Sequence, residues 1–218
     1  EDRMFQVKDF MTKDVITCAP DDKISYIIDA MKSKNIHRLP VVDANHKLVG
    51  IITEGMIAGA DNSATSLSIY ELNYLLSKTQ VSTLMIKNVI SIEEDQLMEE
   101  AAQKMLQNDI GCLPVIDANK KVVGILTQND IFKSFLNVLG WEKEGSRITL
   151  EAKDEIGMLE KIANIFANHR INIYNIGVYE SKDGIARMVI RSDAQDIDEM
   201  RNALNDAGFN VLKAVHIA

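Results

Sequence analysis

Thr127 and Asp130 stand three residues apart in Thr127-Gln-Asn-Asp130. A carboxylate can accept two hydroxyl protons at once, so Asp130, with the Thr127 hydroxyl beside it, suits a vicinal diol. The same spacing fits a helix capping box, with Asp in place of the preferred Glu or Gln, and both readings can hold together. His37-Arg38 places two cations side by side. A guanidinium offers a planar fork to phosphate oxygens; a solvated pair at a strand edge is the alternative. Asp154-Glu-Ile-Gly157 also has two readings. Asp154 caps a following helix through its amides while Gly157 permits close approach of chain or ligand, or those amides hold a ligand carboxylate. His37, His46, His169 and His216 have no nucleophile motif near them, and no metal cluster is expected. Cys18 and Cys112 form no Cys-x-x-Cys, so they read as partly buried free thiols in a reducing cytosol rather than a disulfide framework or zinc site.

The elements that must position these groups come from a repeat. Residues 7–57 align without a gap on residues 81–131, with 20 of 51 positions identical. Each copy opens on a β-branched run, Val15-Ile16-Thr17 or Val89-Ile90-Ser91, read as a short strand. A helical stretch follows; in the first copy Ile24, Ile27, Ile28 and Met31 share one face. Two apolar runs, Leu39–Val42 and Leu48–Ile52, joined by Asp43-Ala-Asn45, read as adjacent strands. A second helix follows Thr53 or Thr127. One such ~50-residue unit buries too little surface to be stable alone, so the copies are expected to pack face to face around a pseudo-twofold cleft. In the second copy Gly111-Cys112 stands where the first has His37-Arg38. In the first copy Met56 stands where the second has Asp130, and a thioether cannot accept two hydroxyl protons as a carboxylate does. Residues 58–80 join the copies: Asn62–Ser66 reads as loop, and Ile69, Leu72, Leu75 and Leu76 as an amphipathic helix, a connector or dimer contact.

Beyond a link at 136–146 the pattern changes. Arg147–Ala152 alternates as a strand, and Ile156–Ala167 is helical with Leu159, Ile162, Ala163 and Phe166 on one face. Ile171–Tyr179 and Ile185–Ile190 read as strands around the Ser181-Lys-Asp-Gly184 turn. Ile197–Ala207 is a helix stopped by Gly208, and Phe209–His216 a last strand. The order βαββαβ is the ferredoxin-like arrangement. The fold class is therefore α/β (α+β).

Leu-Pro-Val-(Val/Ile)-Asp followed by Gly-Ile-(Ile/Leu)-Thr, twice in residues 7–135, strongly resembles the cystathionine-β-synthase (CBS) domain pair, the Bateman module. Residues 147–217, through Asp154-Glu-Ile-Gly-Met-Leu159 and Asn168-His-Arg-Ile-Asn172-Ile, resemble an ACT domain. The whole order is similar to regulators of the acetoin-utilisation protein B type. The first resemblance implies a cleft for an adenosine-containing ligand: AMP, ADP, ATP or S-adenosylmethionine. It implies Asp130 and Thr127 at the ribose, Thr12, Val15, Ile16, Ile36 and the His37 backbone around the base, and Arg38 with His37 at the phosphates. The second implies a small amino or keto acid at Asp154, Gly157, Met158, Leu159 and Asn172. Together they imply a non-catalytic sensor that modulates a protein target. An assembly scaffold with empty clefts is the competing reading.

Composition excludes other classes. The chain has 218 residues, 46% hydrophobic and 26% charged, with a net charge of −8. That is a globular composition whose overall field repels phosphate backbones, so no nucleic-acid or membrane-surface binding is expected. No apolar stretch reaches the ~20 residues of a membrane span, and Glu1-Asp2-Arg3 opens no signal peptide. A cytoplasmic homodimer is the expectation, because twofold contacts are the commonest oligomer geometry.

Overall fold

The computed structural model describes residues 5–62 and 69–217. The part of the expected loop at 63–66 lies outside the described residues, as do the side chains of Asn62, Ile69 and Leu72. Contacts divide the chain into two units, Glu1–Ile131 and Phe132–Ala218.

In the first unit the first copy contains α1 (Val7–Phe10), α2 (Ile24–Lys34), β1 (Arg38–Val42), β2 (Leu48–Thr53) and α3 (Glu54–Asn62). After α4 (Ile69–Lys78), the second copy repeats the order with α5 (Val81–Leu84), β3 (Ile92–Glu93), α6 (Met98–Asn108), β4 (Cys112–Ile116), β5 (Val122–Thr127) and α7 (Gln128–Val138), whose residues from Phe132 on belong to the second unit. Ile24, Ile27 and Met31 are the buried face of α2, as their spacing predicts, and Ile28 is partly buried. The helices end alike: Asn35 and Asp109 both adopt φ 51°, the left-handed turn that closes a helix. β1 pairs with β2 and β4 with β5, both antiparallel. Asp43 fixes the first hairpin by accepting from the Asn45 and Lys47 amides at 2.8 and 2.9 Å. Asp117 does the same for Asn119 and Lys121, and the amide of Lys121 leads the bonds that hold its carboxyl below the usual range. Val15-Ile16-Thr17 is not a strand. The bridge forms one residue later, between Cys18 and Val41, and the second copy pairs Ile92-Glu93 with Val115-Ile116.

The copies exchange their leading segments. Val7, at the start of the first copy, is buried with Ile92, Met98, Leu113 and Leu126 of the second. Val81, at the start of the second, is buried with Ile24, Leu39 and Ile52 of the first. Reciprocal backbone bonds seal each exchange: Thr12 with Ile125 at 3.0 Å both ways, and Ile51 with Ile86 at 3.0 Å both ways. This explains the glycine of each Gly-Ile-(Ile/Leu)-Thr motif. A Cβ on Gly124 would lie 2.5 Å from Met11 sulfur and 3.0 Å from Thr12 oxygen; one on Gly50 would lie 2.6 Å from Met85 sulfur. Both cysteines are buried, more deeply than the sequence suggests. Burial, with Asp22 adding to it, pushes the Cys18 thiol up to about 12. Burial also raises Cys112, against the pull of Arg38.

The second unit contains β6 (Gly145–Lys153), α8 (Met158–Asn168), β7 (Ile173–Lys182), β8 (Ile185–Ser192), α9 (Ile197–Asp206) and β9 (Asn210–Ile217). The four strands form one antiparallel sheet in the order β7-β8-β6-β9. The β7–β8 turn reduces to Asp183-Gly184, with φ 53° and 76°, the backbone a two-residue hairpin requires. Met158, Ile162 and Phe166 of α8 and Met200 and Leu204 of α9 cover Ile148, Leu150, Met188 and Ile190 on one sheet face. Each such side chain contributes about 1.5–3 kcal/mol by leaving water. α8 begins two residues later than its periodicity predicts, because Gly157 adopts φ 86° and cannot belong to the first turn.

Candidate functional site

Two related cavities lie in the first unit. One, of about 440 Å³, is lined by Thr12, Ile36, His37, Arg38, Thr127 and Gln128 among others. It thus brings together five of the residues expected at the nucleotide: Thr12, Ile36, His37, Arg38 and Thr127. Thr12 is there because the leading segment of the first copy crosses to bond Ile125 of the second. Ile36, His37 and Arg38 follow from the left-handed turn at Asn35, which turns the chain from α2 into β1. Thr127 ends β5 at the entry to α7.

Val15, Ile16 and Asp130 do not line this cavity. Ile16 packs against the core of the first copy. Asp130 is buried and accepts from both the Thr127 amide, at 2.9 Å, and the Thr127 hydroxyl, at 2.7 Å. The capping reading of the Thr-x-x-Asp spacing is therefore realised. Its consequence for the cavity is that the Thr127 hydroxyl is a committed donor, turned by Asp130.

The related cavity, about 560 Å³, is lined by Thr53, Ile86, Val89, Ile90, Ile110 and Pro114, with His37, Arg38, Glu54 and Asp109. The larger cavity is thus the one without the second copy's Thr-Asp pair. In it Thr53 caps α3 directly, its hydroxyl accepting from the Met56 amide at 3.3 Å. His37 Nδ1 is 2.7 Å from the Glu54 carboxylate, and both side chains are exposed.

Arg38 lines both cavities. It reaches across to the other copy, where Nη1 approaches the Gly111 carbonyl at 3.5 Å, a long contact. The glycine that replaces His37 in the second copy is what makes room. A Cβ at 111 would lie 2.9 Å from Arg38 Nη2. Sequence reasoning read Gly111 as a missing cation and overlooked this role. It also overlooked Gln128 and Asn129, which enter the lining because they open α7 next to Thr127. The Gly-x-x-Thr motif that marked Thr127 could have marked them too.

In the second unit Asp154 does not cap α8. The N-cap is Gly157, which offers no side chain. Asp154 instead accepts from the Ser181 hydroxyl, and its amide donates to the Gly184 carbonyl at 2.8 Å, tying the turn to the β7–β8 hairpin. Gly157 is required by its φ, not by crowding: a Cβ there would meet nothing within 4 Å. Met158 is a core residue, whereas Leu159 is exposed. Lys161 and, less strongly, Lys153 hold the Glu155 carboxyl below its usual range. Asn172 does not join this group. It precedes β7 at the Ser146–Ser192 end of the sheet, while Asp154 follows β6 at the Lys153–Ile185 end. Seven residues of strand, about 23 Å, separate the two ends.

Two copies that exchange segments and frame a pair of related cavities, followed by a βαββαβ unit, define a tandem ligand-binding module of the regulatory type. The chain belongs to the CBS-domain family: the CBS domain model matches residues 7–62 and 81–137, and the ACT domain model matches residues 146–216. The CBS domain pair of protein MJ0100, solved with 5′-methylthioadenosine and S-adenosyl-L-methionine, is 34% identical with a TM-score of 0.52, over 63% of this chain and 98% of that one. CBSX2 of Arabidopsis thaliana, solved with AMP, is 26% identical with a TM-score of 0.53, over 62% and 98%. A Vibrio cholerae protein assigned to acetoin utilization is 29% identical with a TM-score of 0.54, over 64% and 96%. The chain covers only 46% and 22% of the length of the first two curated relatives it matches.

Proposed function

We propose that the chain is a non-catalytic sensor. Its CBS pair takes an adenine nucleotide or S-adenosylmethionine in the cavity of Thr12, Ile36 and Thr127, and the bound state modulates a protein target. The observation that carries this reading is the convergence of Thr12, Ile36, Arg38 and Thr127 on one cavity of about 440 Å³, a volume suited to a ligand of that size. The relatives solved with AMP and with S-adenosyl-L-methionine support the ligand class. In this reading the base lies against Ile36 and Thr12, the ribose diol meets the Thr127–Asp130 pair, and Arg38 takes the phosphates. The ACT domain takes a small amino or keto acid at the Gly157 turn. AMP, ADP, ATP and S-adenosylmethionine, each at 100 times its dissociation constant, separate this reading from the scaffold. The true ligand stabilises by about 2.7 kcal/mol in a thermal-shift panel; a flat response to all four leaves the scaffold.

Homodimerisation and a cytoplasmic setting complete the reading. Light scattering at micromolar concentration is expected to give twice the chain mass, and a monomer mass would remove the dimer.

A further inference from the structure

The sheet face of the second unit that α8 and α9 leave uncovered is divided by charge. Toward one end Arg187 is held between Glu151, at 2.7 Å, and Glu180, at 2.8 Å. At the other end the register sets Asn175, Arg191, Arg147 and Val215 side by side across β7, β8, β6 and β9. Lys213 stands opposite Thr149, two residues along β6 from Arg147. Like charges directly opposite on one face repel. Among the described residues, no carboxylate lies within ion-pair distance of Arg191 or Arg147. In a chain with net charge −8 this is a local excess of cations.

Arg191 is also buried, only 3% exposed. Its Nη2 donates to the carbonyls of Gly140, at 3.1 Å, and Lys143, at 2.6 Å. Among the described residues, Nε and Nη1 are buried without a partner, and so is the Asn175 side-chain oxygen. Asn175 is the register neighbour of Arg191, and its amide nitrogen donates to the Val138 carbonyl at 2.9 Å. Residues 138–143 thus cross this corner as a strap. The Trp141 ring packs on the guanidinium, 5.8 Å from its centroid, and the Lys143 ammonium sits 4.6 Å from the Tyr174 ring centroid. Glu142 of the strap and Glu144 just after it are exposed and form no ion pair with either arginine. Burial, and then Arg147, make Arg191 a weaker base than a solvated arginine. Structural arginines are normally buried only with their charge paired.

We propose that this corner is a binding site for a small anion, whose oxygens take the unpartnered N–H groups of Arg191 and the guanidinium of Arg147 beneath the 138–143 strap. Entry requires the Gly140 and Lys143 carbonyls to yield, since the unpartnered nitrogens are sealed from solvent. The row holds no carboxylate to balance an ammonium charge, and its unpartnered acceptor is the neutral Asn175 side-chain oxygen, so the site favours a simple carboxylate or phosphate over a zwitterionic amino acid. It lies at the end of the sheet away from the Gly157 turn and does not depend on a ligand there.

Trp141 is the only tryptophan, so its emission reports the strap directly. The full chain is titrated with acetate, inorganic phosphate and glycine, with chloride holding ionic strength constant. A saturable change in Trp141 emission with acetate alone assigns a carboxylate, and with phosphate alone assigns phosphate. Arg147→Gln, at a half-buried position that leaves the strap carbonyls with Arg191, is expected to weaken that response at least tenfold. Arg191→Lys is expected to weaken it further. No saturable response, equal binding of glycine, or an unchanged response in Arg147→Gln would overturn the assignment.

Discussion

Asp130→Asn will lower the affinity for the adenine ligand roughly tenfold to a hundredfold, while the unliganded chain keeps its melting temperature within about 2 °C. Asparagine keeps a side-chain oxygen at this third helix position, so the Thr127 amide retains its acceptor and α7 keeps its start. What is lost is the negative charge that turns the Thr127 hydroxyl and strengthens any hydroxyl donated to it. A charge-assisted hydrogen bond contributes ~1.5–3 kcal/mol, and 1.4 kcal/mol is one decade of affinity. Met56→Ala, at the matching position of the first copy, should leave affinity nearly unchanged. Arg38→Ala should weaken ATP and ADP more than adenosine, because the guanidinium meets only phosphate. Calorimetry decides the matter. Two equal sites per chain, or full affinity in Asp130→Asn, would refute the asymmetric cleft, whereas no binding at all would favour the scaffold.

The second large effect is on stability. Gly145 has φ 139°, and a Cβ built on it would lie 2.1 Å from the Ser192 carbonyl oxygen, with two further atoms of the Ser192-Asp193 backbone at 3.1 Å. Strand β8 cannot yield there, because Ser146 and Ser192 are register partners joined by a buried hydroxyl–hydroxyl bond of 2.7 Å. Gly145→Ala therefore combines backbone strain of ~1–3 kcal/mol with a backbone clash of similar size. A loss of about 3 kcal/mol or more should lower the melting of the second unit by more than ~10 °C. Gly184→Ala is the control: its φ is 76°, but its Cβ would meet nothing within 4 Å, so only strain remains. Calorimetry of the full chain showing equal losses for both variants would rule out the contact as the cause.

Much of the fold was legible because its signals are local. The repeat, the α2 face of Ile24, Ile27 and Met31, the Asp43 turn and the βαββαβ order all follow from periodicity and turn chemistry within a few residues. The Thr127–Asp130 contact was legible for the same reason: three residues of helix entry set its geometry. The misplaced details also have local causes. Val15-Ile16-Thr17 has strand propensity, but a strand needs a partner, and the chain supplies one only from Cys18 onward. Asp154 has cap chemistry, but the left-handed Gly157 moved the cap and left Asp154 to Ser181.

By itself, then, the amino-acid sequence determined the repeat, the buried face of α2 and the turns that close each copy. Tertiary structure alone decided partnership. Val7 and Val81 open the two copies, and each entered the core of the other copy. That exchange places Thr12 beside Ile125 and so builds the cavity from both halves. In the same way Gly111 reads as an absence until Arg38 is seen to occupy its space. Arg191 lies just past the strand expected at Ile185–Ile190, and only the register sets Arg147 beside it and the strap over it. The physical reason is common to these cases. Burial and turn preferences are properties of a short segment, whereas charge pairing and the filling of space are properties of neighbours that the chain brings together from far apart.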